Sequence, residues 1–173
     1  MGDRLATRLI NETDAKKSAL SGIKQPQKNS DIPKLTLPIA LDKQTKDLIK
    51  RSYVDAVKNV GEDEYLYVAR KIHKKMESTR TAATSWIQKL SSYYETLYFI
   101  FENHNSNNDN QLSGEAIRLI CAALFYFVNP FDVIPDYVPG TGYADDLLVF
   151  NICMQSLSHK DRRIIIPYFT EVR

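Results

Sequence analysis

The sequence predicts an all-α protein, a small bundle of five or six helices preceded by an extended N-terminal arm. Three observations predict it. Apolar residues recur at three- and four-residue steps over most of residues 42–173, the period of a helix with one buried face. Residues 1–41 lack that rhythm, and Pro33 and Pro38 bracket residues 34–37, which makes that stretch extended. No two alternating segments meet at a turn as a strand pair would. With 173 residues, 43% hydrophobic and 25% charged, the chain suits one domain with its own core.

The elements follow in order. Residues 1–41 form the arm, with Leu5, Leu9 and Ile10 as a short amphipathic turn and Ile32, Leu35, Leu37, Ile39 and Leu41 free to drape over the body. Residues 42–173 form the helical domain. Asp42 is a suitable N-cap for the first helix, whose apolar stripe is Leu48, Ile49, Tyr53, Ala56, Val57 and Val60, and Gly61 ends it. Glu62, Asp63 and Glu64 open a second helix, where acids complement the positive end of the dipole. A third, residues 81–102, is the most aromatic and is expected at the centre of the bundle. Ser113 caps a fourth, residues 115–128, which the Asn129-Pro130 pair stops. A fifth runs from Ala144 or Asp145 to Leu157. Ser158 or Asp161 opens a short last helix, broken by Pro167.

Charge excludes little by its total and more by its distribution. The net charge is only +2, so nothing draws the whole chain to nucleic acid. Residues 1–80 nevertheless hold 17 Lys and Arg against 11 Asp and Glu, and residues 81–173 hold 6 against 10. The front half suits an acidic partner. The densest basic cluster, Arg70, Lys71, Lys74 and Lys75 with His73 among them, reads either as a solvated helix face or as a docking surface for phosphates. Cys121 and Cys153 lie in apolar helical patterns and read as buried thiols of a reducing compartment. Residues 1–7 lack a signal-peptide apolar stretch, and Ala6 stands where myristoylation wants Ser or Thr. The longest apolar runs, residues 119–128 and 147–153, fall far short of the roughly 20 residues a spanning helix needs.

One segment carries more pattern than a loop requires. Residues 129–150 read NPFDVIPDYVPGTGYADDLLVF, with Pro130, Pro135, Pro139, Gly140 and Gly142 dictating a tight path. Asp132, Asp136, Asp145 and Asp146 crowd into it. Such carboxylates suit a hard cation, Mg²⁺ or Ca²⁺, which takes several converging oxygens. They suit also the structural duty of aspartates in turns, bonding nearby N–H groups and charging a helix start. The structural reading is preferred, because the spacing is diagnostic of no metal and no His or Cys stands near for zinc.

Pro130, Asp132, Ile134, Pro135, Asp136, Pro139, Gly142, Asp145 and Asp146 match a P-x-D-x-I-P-D-x-x-P-x-x-G-x-x-D-D turn between two apolar helices. This resembles the signature of the YkvA-like domain of unknown function family (DUF1232), over residues 114–157. The resemblance implies a helical hairpin, a mainly bacterial family and an association with membranes or complexes. It implies no substrate.

Other motifs are incomplete. Residues 105–116 alternate oxygen ligands like a calcium loop, but Asn110 replaces the required Gly and Ala116 the bidentate Glu. His73, His104 and His159 are scattered, without the Ser or Cys partner of a nucleophilic triad. The expectation is a non-enzymatic adaptor, cytoplasmic or peripheral to the inner face of a membrane, with no cofactor. Its partner is a protein or a membrane, reached through the arm, the basic second helix and an apolar surface from Leu119 to Phe131. No nucleic-acid signal or small-molecule substrate is evident. The alternatives are a metal-dependent protein built on the aspartate loop and a bacterial immunity or regulatory protein.

Overall fold

The computed structural model describes residues 33–82, 84–107, 111–129, 133–138 and 141–169. Among them lie six helices and no strand: α1 (Lys43–Asn59), α2 (Glu62–Arg80), α3 (Ser85–Asn107), α4 (Gly114–Val128), α5 (Ala144–Ser156) and α6 (His159–Ile165), the last continued by a 3₁₀ turn (Ile166–Phe169). Several helices begin where side chains satisfy their first amides. The Thr45 N–H donates to Asp42 Oδ1 at 2.8 Å, and the Ala116 N–H to Ser113 Oγ at 3.1 Å. Gly61 starts α2 rather than merely ending α1, its N–H donating to the Glu64 carboxylate at 2.8 Å. Pro167, which has no N–H to give, coincides with the tightening of α6 into the 3₁₀ turn.

The centre of the bundle is α4, not the aromatic α3 that the sequence suggests. α4 packs against α1, α2, α3 and α5, and eleven of its residues from Ala116 to Val128 are buried. From Leu119 to Val128 the helix is apolar apart from the Tyr126 hydroxyl, which places it inside, and Ala116, Ala122 and Ala123 present little bulk to the neighbouring helices. The aromatics of α3 line one face instead. There Tyr94 stacks flat on Phe127 of α4, with ring centroids 4.1 Å apart. The described part of the expected docking surface from Leu119 to Phe131 is therefore core: Leu119, Leu124, Phe127 and Val128 are buried, and Phe125 packs edge-on against Tyr67 of α2. Phe131 lies outside the described residues.

Buried polar side chains bond the helices to one another at points where an apolar pair would not fix the register. The Tyr53 hydroxyl of α1 donates to the Leu119 carbonyl at 2.9 Å, and the Thr79 and Ser91 hydroxyls meet at 2.7 Å between α2 and α3. Asp161 fastens two helix starts: it accepts from the N–H and hydroxyl of Ser113 at 2.9 and 2.8 Å, and from the Ser158 hydroxyl. Burial opposes the Asp161 charge, but the Ser158 and Ser113 donors outweigh it and hold the carboxyl below its ordinary range.

The described end of the arm drapes over the body. Leu35 is buried and Leu37 and Leu41 pack on the core. The Asn151 side chain of α5 holds the backbone there as a neighbouring strand would, accepting from the Leu35 N–H at 3.2 Å and donating to its carbonyl at 2.9 Å. Residues 1–32, with the Leu5–Ile10 turn and Ile32, lie outside the described residues. Cys121 and Cys153 are buried free thiols, pushed up to about 12 by desolvation.

Candidate functional site

The described residues between α4 and α5 form tight turns. The Val138 N–H donates to the Pro135 carbonyl at 3.0 Å, which puts Asp136 and Tyr137 at the tip of a turn. The Gly142 N–H then donates to the Val138 carbonyl at 2.9 Å, and the Ala144 N–H to the Thr141 carbonyl at 2.9 Å, feeding the chain into α5. Gly142 is dictated by contact: a Cβ there would stand 2.2 Å from the Asp136 carbonyl oxygen. The loop crosses itself at this point, and only a residue without a side chain lets it do so.

Asp145 is the fastener. It is fully buried in the first turn of α5, and it takes three donors: the Tyr126 hydroxyl at 3.1 Å, the Ile134 N–H at 3.0 Å and the Asp146 N–H at 3.1 Å. One carboxylate thus joins the end of α4, the loop and the start of α5. Desolvation raises its pKa against these donors. The expectation that an aspartate caps α5 holds only in part. Tyr143 occupies the cap position but its side chain does not cap the helix, and Asp145 satisfies an amide from within the first turn. Asp146 is buried beside it, its main-chain carbonyl accepting from the Tyr94 hydroxyl at 2.8 Å.

Asp136 is held differently, by a cation. The Lys75 ammonium of α2 pairs with the Asp136 carboxylate. It also lies over the rings of Phe127 and Tyr143, 5.3 and 5.0 Å from their centroids. Its side chain is only 12% exposed. This corrects the basic surface expected from sequence. Arg70, Lys71 and Lys74 are exposed, whereas Lys75 turns inward. The reason is position: Lys75 borders the buried stripe of Val68, Ile72, Met76 and Thr79, so its stem runs along the core edge toward the loop.

The structure therefore brings Asp136, Asp145 and Asp146 to one loop and gives Pro135 and Gly142 a role in its turns. Pro130, Asp132 and Pro139 lie outside the described residues. Among the described residues, no three His, Cys, Asp or Glu side chains are grouped to hold a metal ion. No helix among them is long and apolar enough to cross a membrane. His73, exposed on α2, meets Tyr98 edge-on, and His104 and His159 stand elsewhere.

Sequence reasoning missed Tyr94, Tyr126, Tyr143 and Lys75 as partners of this loop. One signal was available. Tyr126 is the only hydroxyl in the run LICAALFYFV, and a buried tyrosine requires a hydrogen-bond acceptor. The acceptor is Asp145.

Comparison with known proteins adds one finding. No curated protein and no solved structure matches the chain. Residues 116–152 match the family described as protein of unknown function (DUF1232), about a fifth of the chain. The match runs through α4, the aspartate loop and most of α5, so the segment that Asp145 fastens together is the part of the chain that resembles this family.

Proposed function

We infer that the chain is a non-enzymatic interaction protein, a rigid helical scaffold that docks on an acidic partner surface through the exposed face of α2. One contrast carries the reading. Two carboxylates of the loop are engaged internally, Asp145 by three donors and Asp136 by Lys75. By contrast, Arg70, Lys71 and Lys74 pair with no carboxylate among the described residues. Three like charges crowded on two turns repel one another. An acidic partner relieves that repulsion, and the fold itself draws no stabilisation from the cluster.

The metal-dependent alternative meets a physical obstacle. A divalent cation at this loop would compete with Lys75, whose ammonium already neutralises Asp136 and rests on two aromatic rings. Nothing observed favours the immunity or regulatory alternative over a general adaptor.

Site-specific photo-crosslinking in cells tests the reading. A photoreactive amino acid at Lys74 is expected to give adducts, lipid or protein, that vanish when Arg70 and Lys71 are changed to Glu. Adducts no more frequent than from an exposed α1 control, Lys46, would overturn it.

A further inference from the structure

We propose that the acidic surface met by α2 is a membrane of anionic phospholipid, and that Tyr137 enters its headgroup layer beside Arg70, Lys71 and Lys74. The proposal rests on the docking reading above and names its partner.

Tyr137 is 85% exposed, the most exposed of the large apolar side chains described. It is not on a loose loop. It occupies the tip of the turn closed by the Val138 N–H and the Pro135 carbonyl, and its neighbour Asp136 is tied to Lys75. Lys71 is one helical turn before Lys75, and Lys74 is adjacent to it. The ion pair therefore sets an outward-pointing aromatic beside the basic turns of α2. Tyr67 and Phe125, half-buried and in edge contact, continue the same flank, since Tyr67 lies one turn before Lys71. Glu77 is the acid nearest along the face and makes no ion pair with Lys74.

The chemistry matches a headgroup layer better than a folded acidic protein. A tyrosine has an apolar body and a polar tip and favours the depth where hydrocarbon meets headgroups. Lysine and arginine beside it bind the anionic charge as a diffuse layer, without the shaped pocket a specific carboxylate would need. The face is the outer side of a helix with a protruding turn, and such a shape meets a plane. Lys75 serves the fit without contacting lipid: it spends its charge on Asp136 and thereby positions Tyr137.

The test is co-sedimentation of the full chain with vesicles of phosphatidylcholine, with and without about one third phosphatidylserine, at low and high salt. The expected result is binding to the anionic vesicles alone, weakened by salt. Arg70→Gln, Lys71→Gln and Lys74→Gln together should lower the partition by about a hundredfold, near fivefold per charge. Tyr137→Ser should lower it several-fold. The α1 variant Lys46→Gln, Lys50→Gln should bind as the parent does. Circular dichroism must be unchanged for each.

Three results would overturn the proposal: no binding of the parent chain to anionic vesicles, binding undiminished in the triple variant, or binding indifferent to Tyr137. Protein adducts from Lys74 in cells without vesicle binding would reject the lipid and leave the docking reading standing. Absence of both would reject the two together.

Discussion

Lys71 and Lys75 are the same residue one helical turn apart, and they do opposite work. Lys75 lies against the core edge, pairs with Asp136 and rests on Phe127 and Tyr143. Lys71 stands in solvent and pairs with nothing described. The two regions they represent differ in the same way. Asp136 and Asp145 hold the shape of the aspartate loop, and Arg70, Lys71 and Lys74 on the outer face of α2 pair with no described carboxylate. Charge type alone does not assign a role; burial and the neighbours that burial brings do.

The comparison breaks first at Asp145. Asp145→Ala leaves the Tyr126 hydroxyl and the Ile134 N–H without their acceptor, and it should cost about 3 kcal/mol by denaturant unfolding. Asp145→Asn keeps an acceptor in place and should cost clearly less. Gly142→Ala drives a Cβ against the Asp136 backbone and should cost about 2 kcal/mol or more, because backbone cannot yield as a flexible side chain does.

The next effect is pH-dependent. Asp161 has its folded pKa lowered, so its stabilisation is complete above its ordinary pKa, about 4, and is lost as pH falls through the folded value. Asp161→Asn should therefore flatten the loss of stability below about pH 4, measured by urea midpoints across pH. Asp145 has the opposite sign. Its raised pKa favours the fold at acid pH, and that contribution fades as pH rises through the folded value. The smallest effect belongs to the outer face. Arg70→Gln, Lys71→Gln and Lys74→Gln should each leave stability within about 0.5 kcal/mol, whatever they do to binding.

Much of this was legible in the sequence, and the failures have physical causes. Asp42, Ser113 and Ser158 announce the helices they cap, because capping is local chemistry between residues three apart. Gly142 and the prolines announce a tight loop for the same reason. Aromatic content points to α3 as the centre of the bundle, but α4, apolar from Leu119 to Val128 and carrying three alanines, is the helix that four others approach. The inward turn of Lys75 was hidden because it depends on a partner 61 residues away, which no spacing in α2 can reveal. Asp161 signals a helix start by its position, but its bond to Ser113 spans 48 residues and exists only once the chain has folded.

The most direct test of the contrast is to melt Lys71→Met and Lys75→Met side by side. Removing the ammonium from the partly exposed pair leaves Asp136 without its counter-charge, a loss of about 2 kcal/mol. For a domain of this size that lowers the midpoint by about 5 °C. Lys71→Met should melt with the parent chain. Equal midpoints for the two variants would contradict the account, since Lys75 would then be no more part of the fold than Lys71.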